Sequence, residues 1–397
     1  EDFCIFSSDN IFVNDDEFRK AGIQIKRKER INNRGENENY FIKLDQDGNE
    51  LTEVTGIPDR IASATETAIS FAIRLNEEGH VMPIGKDELS LYAYLPMNEH
   101  RFKFPFYLNA DFIPKSDREG IQSENPWNYF LFYSIGKEIV SMVANYASEL
   151  NTNYLNLLPT KELSYSSQDT AALVDSFNRG YKDALTSIPF ILNDISESVG
   201  PDNIIFDASG LSAAIGASSF YRLIGTTKHL PHESIDSSSL SKDIFGIEKI
   251  TTEAIISILE NNLDILKKWI IESSDELRTS FYEWLAKEKK AQSLIPLVPT
   301  FMFGEEWKTT SEINVEDKLL ISTEKISTIK PILSKLGFKC SNHSIEDHPL
   351  SSFIDSQDEK SIFEKIKEKR CLVVGNKCDS IADEERTDKK IDIYVSA

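Results

Sequence analysis

Residues 104–150 read FPFYLNADFIPKSDREGIQSENPWNYFLFYSIGKEIVSMVANYASEL, and a change of period inside this stretch decides the fold. Phe104, Phe106, Leu108, Ala110 and Phe112 fall on alternate positions, with Tyr107, Asn109 and Asp111 between them, until Pro114 stops the run. A period of two with one apolar face predicts a half-buried strand. After the polar loop KSDREGIQSE, Asn125-Pro126 supplies an N-cap and a first-turn proline. Trp127, Leu131, Ile135, Ile139, Met142, Tyr146 and Leu150 then recur at helical spacing, which predicts a long amphipathic helix packed on the sheet.

Upstream of this stretch the chain is strand-like. GIQIKRKERI (22–31), YFIKLDQDGNELTEV (40–54, turning at Asp47-Gly48), TAISFAIRLN (67–76) and LSLYAYLP (89–96) predict a mostly antiparallel sheet. Downstream, helical patterns dominate to about residue 290: DTAALVDSFNRGYKDAL, LSAAIGASSFYRLIG, TEAIISILENNLDILKKWII and DELRTSFYEWLAKEK, with one short strand at NIIFD. After 291 the pattern mixes again, with SLIPLVPT, DKLLIS and CLVVG as strands and TIKPILSKLG and SIFEKIKEK as helices. LNLLPT (155–160) and LIPLVPT (294–300) each close an apolar strand on Pro-Thr, a shared exit chemistry rather than a repeat. The expected class is α+β: a sheet with a long helix over residues 1–150, a mainly helical region over 151–290 and a small α/β domain over 291–397.

A chain of 397 residues has room for about two to three domains, each with its own core. Against 65 acidic residues stand 44 basic ones, and a formal charge of −21 repels nucleic-acid phosphates and anionic lipid. Neither partner is expected. The basic run Lys26, Arg27, Lys28, Arg30 and Arg34 is interrupted by Glu29 and reads as a solvated strand or loop edge. Cys4, Cys340, Cys371 and Cys378 match neither a zinc site nor a disulfide frame, which fits a reducing, cytoplasmic setting. No stretch reaches the apolar length of a membrane helix, and EDFCIFSSDN lacks the parts of a signal peptide. The start at Glu1 and the end at YVSA lead us to expect a segment of a longer protein.

Chemistry-bearing motifs are few. CLVVGNKCDS (371–380) is similar to the base-reading motif of GTPases, yet no GxxxxGK[ST] phosphate loop accompanies it, and Asn376, Lys377 and Asp379 read as a polar strand exit. His80, His100, His229, His232, His343 and His348 are dispersed without metal-ligand spacing, and no GxSxG elbow is present. The remaining candidate is Arg118, flanked by Ser116, Asp117, Glu119 and Gly120 on the loop between strand and helix. A lone arginine on such a loop can meet a phosphate supplied from elsewhere, or can pair with Asp111, Asp117 or Glu119.

The stretch LYAYLPMNEHRFKFPFYLNADFIPKSDREGIQSENPWN (91–128) resembles the middle, transducer region of GHKL ATPases, the superfamily of heat-shock chaperones, type II topoisomerases and MutL-type repair ATPases. The likeness is to the sacsin-type branch: Asn109 to Phe112 end a strand, Ser116 to Glu119 form its loop, and Pro126 to Asn128 open the helix. FNRGYKDAL, FDASGLS and IPLVPTFMFGEEW are similar to recurrent segments of that branch. The resemblance implies that Arg118 contacts the γ-phosphate of ATP held by an upstream domain, with Asn109, Asp111, Ser116, Asp117 and Glu119 as the supporting loop. ATP and Mg are implied for the longer protein, a protein client and a homo-oligomer as partners. The chain departs from the family in lacking the nucleotide-binding domain, and no Asp-x-Gly-x-Gly turn occurs in it. Alone it is expected to be inactive. A non-catalytic interaction scaffold that keeps a transducer-like fold is the alternative.

Overall fold

The computed structural model of the chain describes residues 2–85, 88–99, 101–117, 120–146, 154–164, 168–240, 243–316 and 318–354. Within them the chain is mixed α+β with several small sheets. Two units form, one of residues 1–206 with 227–249, the other of 207–226 with the chain from 250 onward.

The first unit opens with strand Asp2–Phe12 (β1) and helix Asp15–Lys20 (α1). Strands Ile25–Ile31 (β2), Asn37–Leu44 (β3) and Glu50–Glu53 (β4) follow as an antiparallel sheet of their own. Helix Asp59–Ala62 (α2) leads to strands Glu66–Leu75 (β5), Val81–Met82 (β6), Leu91–Ala93 (β7), Leu95–Pro96 (β8) and Tyr107–Ala110 (β9). Helices Pro126–Tyr146 (α3) and Ala171–Ser187 (α4) complete the core. The main sheet runs β1-β5-β9-β7-β8, with β6 beside β5. Most of its pairs are antiparallel, but β7 and β9 run parallel.

The alternating run behaves as its pattern demands. Phe104, Phe106, Leu108, Ala110 and Phe112 are all buried, while Tyr107, Asn109 and Asp111 are half-buried on the other face. Pro105 has no N–H to give a ladder, so pairing starts only at Tyr107. Leu108 and Ala110 stand opposite Phe71 and Ile69 of β5, which are also buried.

Helices α3 and α4 cover this inner face. Phe132 of α3 lies 4.7 Å from Phe102 and 5.9 Å from Phe112, ring to ring, and Phe177 of α4 lies 5.5 Å from Phe104. Helix α3 differs from the amphipathic expectation. From Asn125 to Ala144 no residue is exposed, because α4 covers the flank that the sheet leaves. Two glycines let the helices meet backbone to backbone. A Cβ on Gly136 would stand 2.3 Å from the Phe177 carbonyl oxygen, and one on Gly180 would stand 2.0 Å from the Tyr133 carbonyl oxygen.

The segment FNRGYKDAL fills α4 with structural work. Arg179 donates to the Ala21 carbonyl (2.7 Å) in space that a Cβ on Gly22 would occupy. The Tyr181 hydroxyl donates to the Pro159 carbonyl (3.0 Å), and Asp183 accepts from the Tyr133 hydroxyl (3.0 Å).

Several local expectations are corrected. β1 was hidden in the sequence by its polar centre. LSLYAYLP is split at Tyr94, whose φ of +61° turns the chain between β7 and β8. LNLLPT and LIPLVPT do not close strands; 3-10 turns span Tyr154–Leu157 and Ala291–Leu297 instead, and the strand of the second begins at Pro299. In the second unit, Gly216 (φ +78°) divides Leu211–Ile215 from Ala217–Ile224, and Asn262 divides Thr252–Asn261 from Leu263–Glu272. The same unit holds a parallel pair, Leu319–Ser322 and Lys339–Ser344, joined by helix Glu324–Lys335. His100, Leu150, SIFEKIKEK, CLVVG, Cys371, Cys378 and Asn376 to Asp379 lie outside the described residues. Among the described residues no helix is long and apolar enough to cross a membrane.

A methyl group at either glycine must push two helix backbones apart. Gly136→Ala and Gly180→Ala are each expected to destabilise the first unit by about 3 kcal/mol, the upper range for overpacking, as read by chemical denaturation. A loss under about 0.5 kcal/mol would mean that the helices part freely.

Candidate functional site

The loop between β9 and α3 is closed at its base by paired backbone. Pro114 and Ile121 form a bridge, the Lys115 N–H donates to the Gly120 carbonyl (2.8 Å), and the Gln122 N–H donates to the Ile113 carbonyl (3.1 Å). Lys115, Ser116 and Asp117 are exposed, whereas Gly120 is buried. Arg118 and Glu119 lie outside the described residues.

The start of α3 holds both stems. Asn125 caps the helix by accepting from the Trp127 N–H (3.0 Å), and the Trp127 indole donates to the Asp111 carbonyl (2.8 Å). Asn128 is fully buried. Its Oδ1 accepts from the Ile113 N–H (2.9 Å), while its Nδ2 donates to the carbonyls of Ile113 and Gln122, both at 2.9 Å. One amide side chain thus satisfies backbone groups on both sides of the loop. Gln122 adds a bond to the Pro114 carbonyl (3.1 Å).

An ion pair supports the base from beneath. Glu99 is 2% exposed and accepts from the Arg101 Nε (2.8 Å), the Arg101 Nη2 (2.5 Å) and the Ile121 N–H (3.3 Å). A Cβ on Gly120 would stand 3.0 Å from the Glu99 Oε2, so glycine lets the loop settle on the pair. Burial pushes the Glu99 carboxyl up, but the hydrogen bonds from the Arg101 side chain and backbone outweigh it and hold the group below its ordinary value.

The predicted supporting residues divide between the fold and the tip. Asp111 accepts from Arg60 (2.8 Å), from the Tyr94 hydroxyl (3.1 Å) and from the Thr67 hydroxyl (3.2 Å). Asn109 accepts from the Tyr94 N–H (3.0 Å) and so fixes that residue in its left-handed conformation. Ser116 and Asp117 stand at the tip. The structure therefore brings Asn109 and Asp111 together around Tyr94 and Arg60, at the same strand end from which the loop departs.

Sequence reasoning missed Glu99, Arg101 and the clamp made by Asn128, although Pro-Trp-Asn was singled out as a motif. The local signals were faint: Gly120 directly after the Arg-Glu pair, and two opposite charges at i and i+2 in Glu99 and Arg101. Among the described residues no group of three His, Cys, Asp or Glu is placed to hold a metal ion. Compared with protein-family models, with curated proteins and with solved structures, the chain finds no match in any of the three.

Removing the Asn128 side chain leaves buried backbone groups of Ile113 and Gln122 unpaired. Asn128→Ala should cost about 3 kcal/mol in denaturation, given about 1–3 kcal/mol per unsatisfied buried group. The Glu99 pair carries its own pH signature. A carboxyl whose folded value is depressed stabilises fully above its unfolded value, about 4.3, and loses that contribution as pH falls through the lower folded value. The stability gap between the native chain and Glu99→Gln should therefore shrink as pH drops below the ordinary carboxylate range; a gap independent of pH would contradict the assignment.

Proposed function

We propose that the chain is the transducer and partner-binding portion of a GHKL-type ATPase of the sacsin-like branch, coupling the ATP state of an upstream domain to conformational change. The observation that carries this reading is the β9–α3 loop, whose stems are fastened by Asn128 and Glu99 while Lys115, Ser116 and Asp117 stand exposed at its tip. Arg118 is the residue that follows Asp117 in the sequence. A planar, always-charged guanidinium suits a γ-phosphate, whose charge it can meet through paired hydrogen bonds. ATP and Mg belong to the upstream domain, and this chain by itself does not turn ATP over. Because the loop stems are bound to the first turn of α3, a phosphate that draws the tip also loads that helix.

In this reading the sheet with α3 is the transducer-type domain of residues 1–150, the helical region 151–290 and the α/β domain 291–397 follow it, and the moving parts hold a protein client in the cytoplasm. Nucleic acid and membrane are not partners, and homo-oligomers are compatible with it. An interaction scaffold without nucleotide coupling is the second reading, and the outer face of the main sheet, exposed in part among the described residues, favours it. Phe3, Ile5 and Met82 are exposed there, and the rings of Phe3, Tyr107 and Tyr92 follow one another at 6.1 and 6.0 Å. Apolar residues on an open sheet face mark a binding surface.

Replacing Arg118 separates the two readings. In the full-length protein Arg118→Ala should lower ATP turnover by about a hundredfold or more with ATP affinity little changed, as expected for lost stabilisation of a transferring phosphoryl group. Stability should move by no more than about 0.5 kcal/mol. Unchanged turnover would favour the scaffold.

A further inference from the structure

The outer strands of the main sheet and of the three-stranded sheet are guarded, with one exception. At the far end of the main sheet β8 is two residues long and closes on Pro96. In the three-stranded sheet β4 carries Glu50 and Glu53, and β2 carries Lys26, Lys28 and Arg30 while Asp15 accepts from its Arg27 N–H (3.0 Å). Short length, proline, charge and a capping side chain each keep another strand from adding to an edge. β1 has no such guard from Phe3 to Ser8. It spans Asp2–Phe12 without a lysine, arginine or proline, and among the described residues it pairs with β5 alone. Its register is unbroken from Phe3 to Ser8, ahead of the irregularity between Ser8 and Ile11. Phe3 and Ile5, at 46% and 66% exposure, stand on its outer face, and Phe6 on the inner side is only half-buried against Phe71 and Tyr146.

Charge around this edge is of one sign. Asp9 on β1, Glu66 opposite Phe12 and Glu77 in the turn after β5 are exposed and pair with no cation among the described residues. Arg74, opposite Phe3, is held on Glu88 through both Nη atoms (3.2 and 2.9 Å). On the inner side the Glu138 carboxyl of α3 meets Ser8, and burial pushes it above its ordinary value. A cation brought beside it would offset that burial.

We propose that the β1 edge takes up an extended segment of a protein partner as an added strand along Phe3 to Ser8, with apolar residues beside Phe3 and Ile5 alternating with lysine or arginine on the side of Ser8 and Glu138. This segment is the partner of the outer face on which the scaffold reading rests, and its binding does not require nucleotide coupling. Backbone pairing along an edge supplies affinity, and alternate side chains supply specificity. Charge decides between this partner and a second copy of the chain. An antiparallel pair of β1 strands brings the Asp9 and Glu66 end of each copy to the Glu77 end of the other, where like charges repel, whereas a basic segment meets carboxylates at both ends.

The probe is a synthetic peptide that alternates lysine with valine, capped at both ends and long enough to cover Phe3 to Ser8. Its controls are the glutamate analogue and a copy with proline for valine, which keeps the charge but pairs poorly as a strand. Titrated against the full chain, the lysine peptide should protect from hydrogen exchange the β1 amides that face the open edge, with β2 and β4 unchanged. Both controls should bind about tenfold more weakly or worse, as several cross-strand pairs are lost at once. Ile5→Lys should weaken the lysine peptide to a similar degree, and Asp9→Lys with Glu66→Lys should weaken it while strengthening the glutamate peptide; these sites are exposed, so the fold survives the changes. Equal binding of the lysine peptide and its proline copy, or protection that leaves β1 untouched, would overturn the proposal. So would a native chain that sediments as a dimer and turns monomeric on Ile5→Lys, since the edge then belongs to a second copy. Reading and partner fail separately: a fall in ATP turnover on Arg118→Ala rejects the uncoupled scaffold while β1 protection persists, and absent protection with turnover unchanged rejects the strand partner alone.

Discussion

Everything in the first unit depends on how closely α3 and α4 approach. With no side chain at Gly136 or Gly180, each helix rests on a carbonyl of the other, and larger residues would hold them apart. That approach sets Phe132 and Phe177 against the sheet at Phe102, Phe112 and Phe104. It also fixes the clamp at Asn128 and a second at Asn178, whose amide pairs with the N–H and the carbonyl of Leu163. Asn178 stands two positions before Gly180, and Asn128 stands about two helical turns before Gly136, so the crossing decides where each asparagine finds its loop. Fold and site share one constraint.

The part of the sequence with the clearest period was the most legible. Strict alternation over 104–112 found the inner face of β9, and Asn125-Pro126 marked the start of α3. The stripe from Trp127 to Tyr146 told only half of the helix's burial, because Phe130, Tyr133, Val140 and Val143 are covered from another side by tertiary packing that no single-sequence period reports. β1 carries Ser7, Ser8, Asp9 and Asn10 at its centre, and its strand exists because β5 supplies a pairing edge. The breaks at Tyr94, Gly216 and Asn262 are single-residue events inside otherwise continuous patterns.

The loop between strand and helix was legible in the sequence, and the side chains that hold its base were not. A cation between a strand and a helix is visible in one window of sequence, whereas Arg101 and Asp169, to which its Nη1 donates, are 68 positions apart. Charge runs carry a similar lesson. Lys28 pairs with Glu50 and Arg30 with Glu38 and Glu53 across a solvated sheet, as the interrupted run suggested, but Arg27 turns inward to the carbonyls of Val13 and Ala64. Neighbours of one charge type divided between surface and interior according to which face of β2 they occupy.

A side-chain amide that closes both stems also makes their closure independent of the residues between them. Since Asn128 secures Ile113 and Gln122 from outside the loop, closure of the stems does not depend on how many residues the excursion contains. Doubling its length would cost only about 0.6 kcal/mol of closure entropy. Here is a natural insertion point: a peptide tag or a spectroscopic probe placed between Ser116 and Asp117 leaves the core undisturbed, and a lineage could change the reach or chemistry of this finger without re-evolving the domain that carries it.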